Sequence, residues 1–174
     1  MWCAWQIVGN EPFAVILPDV IVDSQPGALK QLAQVYAETG GNIIGVESVP
    51  EDQTHKYGIV DPVSRDGARI VMKGMVEKPA AGTAPSNLSI SGRYILQPEI
   101  FDLLATQEKG AGGEIQLTDA MARLMADQSF TAVEYAGVTH DCGDKIGLLR
   151  ANVALALKRA DLGEAARTAI SALL

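Results

Sequence analysis

Five short polar motifs interrupt an otherwise aliphatic chain of 174 residues: Leu17-Pro18-Asp19, Lys56-Tyr57-Gly58, Val76-Glu77-Lys78-Pro79, Ser91-Gly92-Arg93-Tyr94 and His140-Asp141-Cys142-Gly143. Asp19 follows the apolar run Phe13 to Leu17. In open α/β sheets ligands bind beyond the carboxyl ends of strands, so a carboxylate there is placed to hold a hard cation. A turn or helix-cap role explains the same residue. Asp23 lies beyond Val20-Ile21-Val22 and reads as structural. Asp141 offers a second carboxylate, and two carboxylates plus phosphate oxygens make a typical incomplete Mg²⁺ shell. The competing role in that loop is helix capping, which suits Asp144 well and Asp141 less well.

Glu77 and Lys78 end a strand at Pro79. Neighbouring strand residues face opposite ways, so a regular strand cannot aim both at one ligand. An irregularity at Pro79 would allow it. The pair then supplies a carboxylate for two sugar hydroxyls and a cation for a phosphate; a solvated charge pair is the plainer reading. Gly92 sits inside a strand, where glycine marks a bulge or a close approach by a ligand.

Other chemistries are excluded. Gly110-Ala111-Gly112-Gly113 lacks P-loop spacing and its terminal Lys-Ser/Thr. His55 and His140 are far apart and have no third ligand pattern for zinc. Cys142 has no nearby base to make it a nucleophile.

The elements that must carry these motifs follow from periodicity. Met1 to Val8 reads as a helix end with Trp2 and Trp5 one turn apart, and Phe13 to Leu17 as a buried strand. Pro26 suits a first helical turn, Leu29, Leu32, Ala33 and Tyr36 recur at helical spacing, and Gly40-Gly41 ends that helix. Asn42 to Val49 is the next strand, which makes a βαβ unit with parallel strands. Gly58 to Val63 and Arg69 to Glu77 flank the hairpin signal Asp66-Gly67. Then come a strand over Asn87 to Leu96, a helix from Pro98 to about Ala105, a loop at Gly110 to Gly113, a helix over Ile115 to Met125, a strand over Phe130 to Tyr135, and helices over Ile146 to Arg159 and Glu164 to Leu174. The expectation is one domain: an α/β core over residues 1–145, its sheet parallel at first and mixed later, with terminal helices over 146–174 that pack on the chain's own sheet or on a second subunit.

Hydrophobic residues make up 48% of the chain and aromatics 5%, so the core is aliphatic. A net charge of −7 argues against nucleic acid as a partner, and it requires a cation and a few local Lys or Arg if phosphates are to bind. Two cysteines outside any CxxC pair, no membrane-length apolar run and no signal-like start point to a cytoplasmic protein that does not enter membranes.

The order of the five motifs, together with Gly113-Glu114-Ile115-Gln116-Leu117-Thr118-Asp119, resembles the sugar-1-phosphate nucleotidyltransferases, and within them the bacterial UTP:glucose-1-phosphate uridylyltransferases. The resemblance runs from about Trp2 to Leu157. It implies a three-layer, Rossmann-like mixed α/β sheet of the nucleotide-diphospho-sugar transferase type, incomplete at its N-terminus because nothing in Met1 to Asn10 matches the family's glycine-rich loop. It implies Mg²⁺ at Asp19 and Asp141, glucose hydroxyls at Glu77, the sugar phosphate at Lys78, and hexose contacts at the Gly58 backbone and Tyr94. Asp19 and Lys78 would be catalytic, with UTP and glucose 1-phosphate as substrates. Transfer from dTTP or ATP, a non-catalytic sugar-phosphate-binding fragment, and a poorly folding piece with an unpaired sheet edge at its first strand stand as alternatives.

Overall fold

The computed structural model describes residues 1–106, 108, 113 and 115–173. A 3₁₀ turn at Trp2–Ala4 leads into α1 (Trp5–Val8), which ends at Gly9 with φ 69°. The central sheet has six strands: β1 (Phe13–Ile16), β3 (Asn42–Ser48), β4 (Gly58–Asp66), β5 (Arg69–Glu77), β6 (Leu88–Leu96) and β7 (Phe130–Glu134). Their order is β1-β6-β3-β7-β5-β4, with a further β6–β4 pairing. A separate two-stranded sheet joins β2 (Val20–Asp23) to β8 (Val138–Asp141). The helices are α2 (Ala28–Thr39), α3 (Ile100–Thr106), α4 (Leu117–Leu124), α5 (Lys145–Lys158) and α6 (Gly163–Ser171).

Successive residues of a strand face opposite sides, and here they feed two different cores. Ile43, Ile95 and Val133 pack with Ala28, Leu32 and Val35 of α2. Ile44, Tyr94, Leu96 and Ala132 pack with Ile100, Phe101 and Leu104 of α3 and with Ala120, Met121 and Leu124 of α4. Helix, mixed sheet and helices thus make the three layers expected.

The hairpin forms where Asp66-Gly67 predicts it, Asp66 pairing with Arg69 and Gly67 at φ 57°. Three expectations change. β1 is not buried: Phe13 and Val15 pack on the core, while Ile16 is 53% exposed, because β1 is an edge strand that pairs only with β6 among the described strands. The sheet is not parallel at its start: β1 and β3 both run antiparallel to β6, so they share a direction but are not neighbours. β3–β7 is the one parallel pair among the described strands. Pro26 also lies outside the first helical turn, since Gly27 caps α2. Residues 110–112 of the predicted glycine loop, and Glu114, fall outside the described residues.

Neither β2 nor β8 was expected. Each has four residues and its partner lies far along the chain, so no local periodicity announces it. α5 packs mainly against β8 and α6. Ile146, Leu148 and Leu149 of α5 remain exposed.

Candidate functional site

Asp19 sits in the turn between β1 and β2, and Asp141 ends β8. Pairing of β2 with β8 sets Val20 opposite Asp141, and the Cys142 amide donates to the Asp19 carbonyl at 2.7 Å. The unexpected small sheet is therefore what brings the two aspartates together. The Gly143 amide donates to Asp141 Oδ1 at 2.9 Å. A Cβ at Gly143 would stand 3.1 Å from that oxygen and 3.8 Å from Asp19 Oδ2, so both carboxylates border the space a side chain would fill. Hard oxygen donors around a small glycine-lined gap fit a divalent cation such as Mg²⁺.

Asp144 does what the sequence suggested. Its Oδ1 accepts from the Ile146 and Gly147 amides at 2.8 Å each, which caps α5. Those two bonds, the Gly147 one first, hold its carboxyl below the usual carboxylate range. A depressed folded-state pKa contributes stability above the unfolded pKa and loses it as pH falls through the folded value. Asp144→Ala should therefore lower the melting temperature at pH 7, with the difference from the parent shrinking on acidification; thermal melts across that range check it. Asp23 is structural as expected, paired with Lys158 of α5.

The opposite wall is built on the β4–β5 pair. Gly58 lies directly across from Glu77, and a Cβ on Gly58 would meet Glu77 Oε2 at 3.0 Å and Thr118 Oγ1 at 3.2 Å. The next residue, Lys78, has φ 45°, the only positive φ at a non-glycine among the described residues. That left-handed step, held by the Lys78 amide on the Tyr57 carbonyl at 3.0 Å, breaks strand alternation. Glu77 and Lys78 consequently line the same cavity.

Such backbone strain collects at functional sites. Lys78→Gly should remove a left-handed cost of about 1–2 kcal/mol against about 0.5–1 kcal/mol of added chain entropy. Its urea midpoint should equal or exceed that of the parent, while binding of a sugar phosphate falls. A midpoint clearly below that of Lys78→Ala would show that no strain resides there.

The third wall is β6. Opposite β3 the register jumps from Ile44↔Tyr94 to Val46↔Ile90, a bulge centred on Gly92 at φ 71°. A Cβ on Gly92 would lie 2.9 Å from Leu17 Cδ1, so glycine lets the Asp19 turn seat against β6. Tyr94 is 5% exposed yet reaches the cavity, and burial, then the Glu77 charge, push its phenol up.

Asp19, Gly58, Glu77, Lys78, Tyr94 and Asp141 all line one cavity of about 370 Å³. Lys56, Tyr57 and Thr118, which stand in the motifs without a role of their own, line it too, as do Glu47 and Thr139, which no motif contains. Burial raises the Glu47 carboxyl, Thr139 opposes this by donating a hydrogen bond, and the Asp141 charge adds to it. Four carboxylates in one cavity repel one another, and a bound cation would relieve that repulsion.

Residues 1–157 match the family model for nucleotidyl transferases. The chain belongs to the nucleotidyl transferase family. It is 51% identical over 161 residues to a UTP–glucose-1-phosphate uridylyltransferase of Staphylococcus epidermidis, covering 92% of this chain and 56% of that protein. A relative of the same name from Staphylococcus haemolyticus is 55% identical over 155 residues, 89% of this chain and 54% of that one. Among solved structures, a UTP-bound UGPase from Acinetobacter baumannii superposes with a TM-score of 0.87 at 39% identity, covering 99% of this chain and 60% of the other. A UDP-glucose pyrophosphorylase complexed with UDP-glucose superposes at 0.86 with 36% identity, over 91% of this chain and 61% of the other. The chain thus spans a little over half the length of the curated relatives it matches. No helix among the described residues of this nucleotidyl transferase family member is long and apolar enough to cross a membrane.

Proposed function

We propose that this nucleotidyl transferase chain serves uridylyl transfer from UTP to glucose 1-phosphate, yielding UDP-glucose and pyrophosphate. The observation that carries the proposal is the convergence of Asp19, Asp141, Glu77, Lys78, Gly58 and Tyr94 on one cavity. The names of the relatives support uridylyl transfer over transfer from dTTP or ATP.

In this reading the Glu77 carboxylate accepts from two glucose hydroxyls, the Gly58 backbone and Tyr94 shape the hexose wall, and Lys78 holds the sugar phosphate. A phosphate oxygen of glucose 1-phosphate bonds to the α-phosphorus of UTP as the bond from that phosphorus to the bridging oxygen breaks, releasing pyrophosphate. No group of the protein becomes covalently attached, so the chain contributes positioning and charge neutralisation. Asp19 and Asp141 would hold Mg²⁺, which would supply positive charge to offset that of the phosphates. A reducing cytoplasm suits the two free cysteines.

Pyrophosphate release from UTP and glucose 1-phosphate, with and without Mg²⁺ and with dTTP and ATP as competitors, tests the proposal. Mg²⁺-dependent release that prefers UTP is expected. Glucose 1-phosphate binding without release would leave a sugar-phosphate-binding chain, and failure to bind it would overturn the reading. The exposed Ile146, Leu148 and Leu149 of α5 support self-association through the terminal helices. Light scattering over a concentration series should then show a dimer or larger, and a monomer throughout removes that part.

A further inference from the structure

Arg93 is 7% exposed, yet no ion pair among the described residues includes it. Its guanidinium is spent on backbone carbonyls. Nη1 donates to Leu17 O at 3.2 Å and to Gly92 O at 3.1 Å, and Nη2 donates to Val20 O. Leu17 and Val20 bracket Pro18-Asp19. The Leu17 amide in turn donates to Gly92 O at 3.0 Å, which ties the same turn to the β6 bulge. Gly45 of β3 leaves the room this requires, because a Cβ there would stand 3.1 Å from Arg93 Cβ. Arg93 itself does not line the cavity, although its neighbours Gly92 and Tyr94 do.

We propose that Arg93 is a positioning residue that clamps the main chain on both sides of Asp19 and so fixes where its carboxylate stands in the cavity. The planar guanidinium places donors on separate nitrogens at a fixed spacing, and these meet carbonyls at both ends of the turn. A lysine's three donors radiate from a single nitrogen on a flexible stem without that fixed spacing, so it holds the two carbonyls less firmly. The catalytic consequence rests on the reading of Asp19 as a cation ligand; the clamp itself does not.

The experiment uses the full chain as parent, Arg93→Lys, Arg93→Met and Asp19→Asn. Amide hydrogen exchange in residues 17–23 should quicken about tenfold or more in both Arg93 variants, while the β4–β5 hairpin stays within about twofold of the parent. In the same variants Mn²⁺ binding, followed by its electron paramagnetic resonance signal, should weaken about tenfold, with glucose 1-phosphate affinity from calorimetry nearly unchanged. Unaltered exchange at 17–23, or an equal rise everywhere, overturns the clamp. Faster exchange confined to 17–23, combined with Mn²⁺ binding that survives Asp19→Asn, sustains the clamp and instead removes Asp19 as the cation ligand.

Discussion

Glu77→Gln should weaken glucose 1-phosphate binding roughly tenfold to a hundredfold and leave the melting temperature unchanged. The magnitude follows from one charge-assisted hydrogen bond, on the order of 1.5–3 kcal/mol, at about 1.4 kcal/mol per factor of ten. The amide keeps the shape of the side chain but turns one acceptor into a donor, which a pair of sugar hydroxyls arranged to donate cannot satisfy. Stability should hold because Glu77 takes part in no ion pair among the described residues. Its Oε2 stands 3.0 Å from where a Cβ on Gly58 would be, and Glu77 lines the cavity. Calorimetric titration against the parent checks the affinity. An unchanged affinity would remove Glu77 from the site, whatever happened to the melt.

The candidate site was more legible than the frame that builds it. Asp19 and Glu77 are each a charged residue at the end of an apolar strand, and that pattern survives without knowledge of which strands pair. Asp141 was legible only from its loop motif, because the strand it ends, Val138–Asp141, is not an apolar run. Glu77-Lys78-Pro79 also announced a break in alternation, and the left-handed Lys78 is that break. Pairing was harder to read. β1 and β3 look like a simple βαβ unit, but β6, which arrives much later, inserts between them. An apolar run such as Phe13 to Leu17 fits a buried strand or an edge strand equally, and only its lack of a second neighbour decides. Glu47 and Thr139 carried no signal because a single polar residue on a strand looks like the solvent side of an amphipathic element, and Thr118 stood in the Gly113 to Asp119 run without a role of its own. Arg93 stood inside a quoted motif, yet its partners are backbone carbonyls, which have no identity in sequence.

The helix behind Asp141 carries the other large effect. Gly147 lies in the first turn of α5, and a Cβ there would come within 1.9 Å of the Asp141 carbonyl oxygen, a separation no real side chain sustains. The obstruction is backbone, so no rotamer relieves it. Gly147→Ala must lift α5 away from β8 or displace Asp141. The first course also costs the Asp144 cap, since the Gly147 amide is one of its two donors. Overpacking of this kind typically destabilises by about 1–3 kcal/mol, and the strain falls on the residue proposed to share a cation with Asp19. Gly147→Ala should therefore lower the urea midpoint and weaken Mn²⁺ binding about tenfold, while Glu77 and Lys78, on the far wall, keep glucose 1-phosphate affinity within about twofold. Gly27→Ala is the control, because a Cβ at Gly27 meets nothing within 4 Å and its φ of −55° suits any residue. If Gly147→Ala were as mild as Gly27→Ala in both stability and Mn²⁺ binding, α5 would not be seated on Asp141. The cation side of the cavity would then have to be built without that helix.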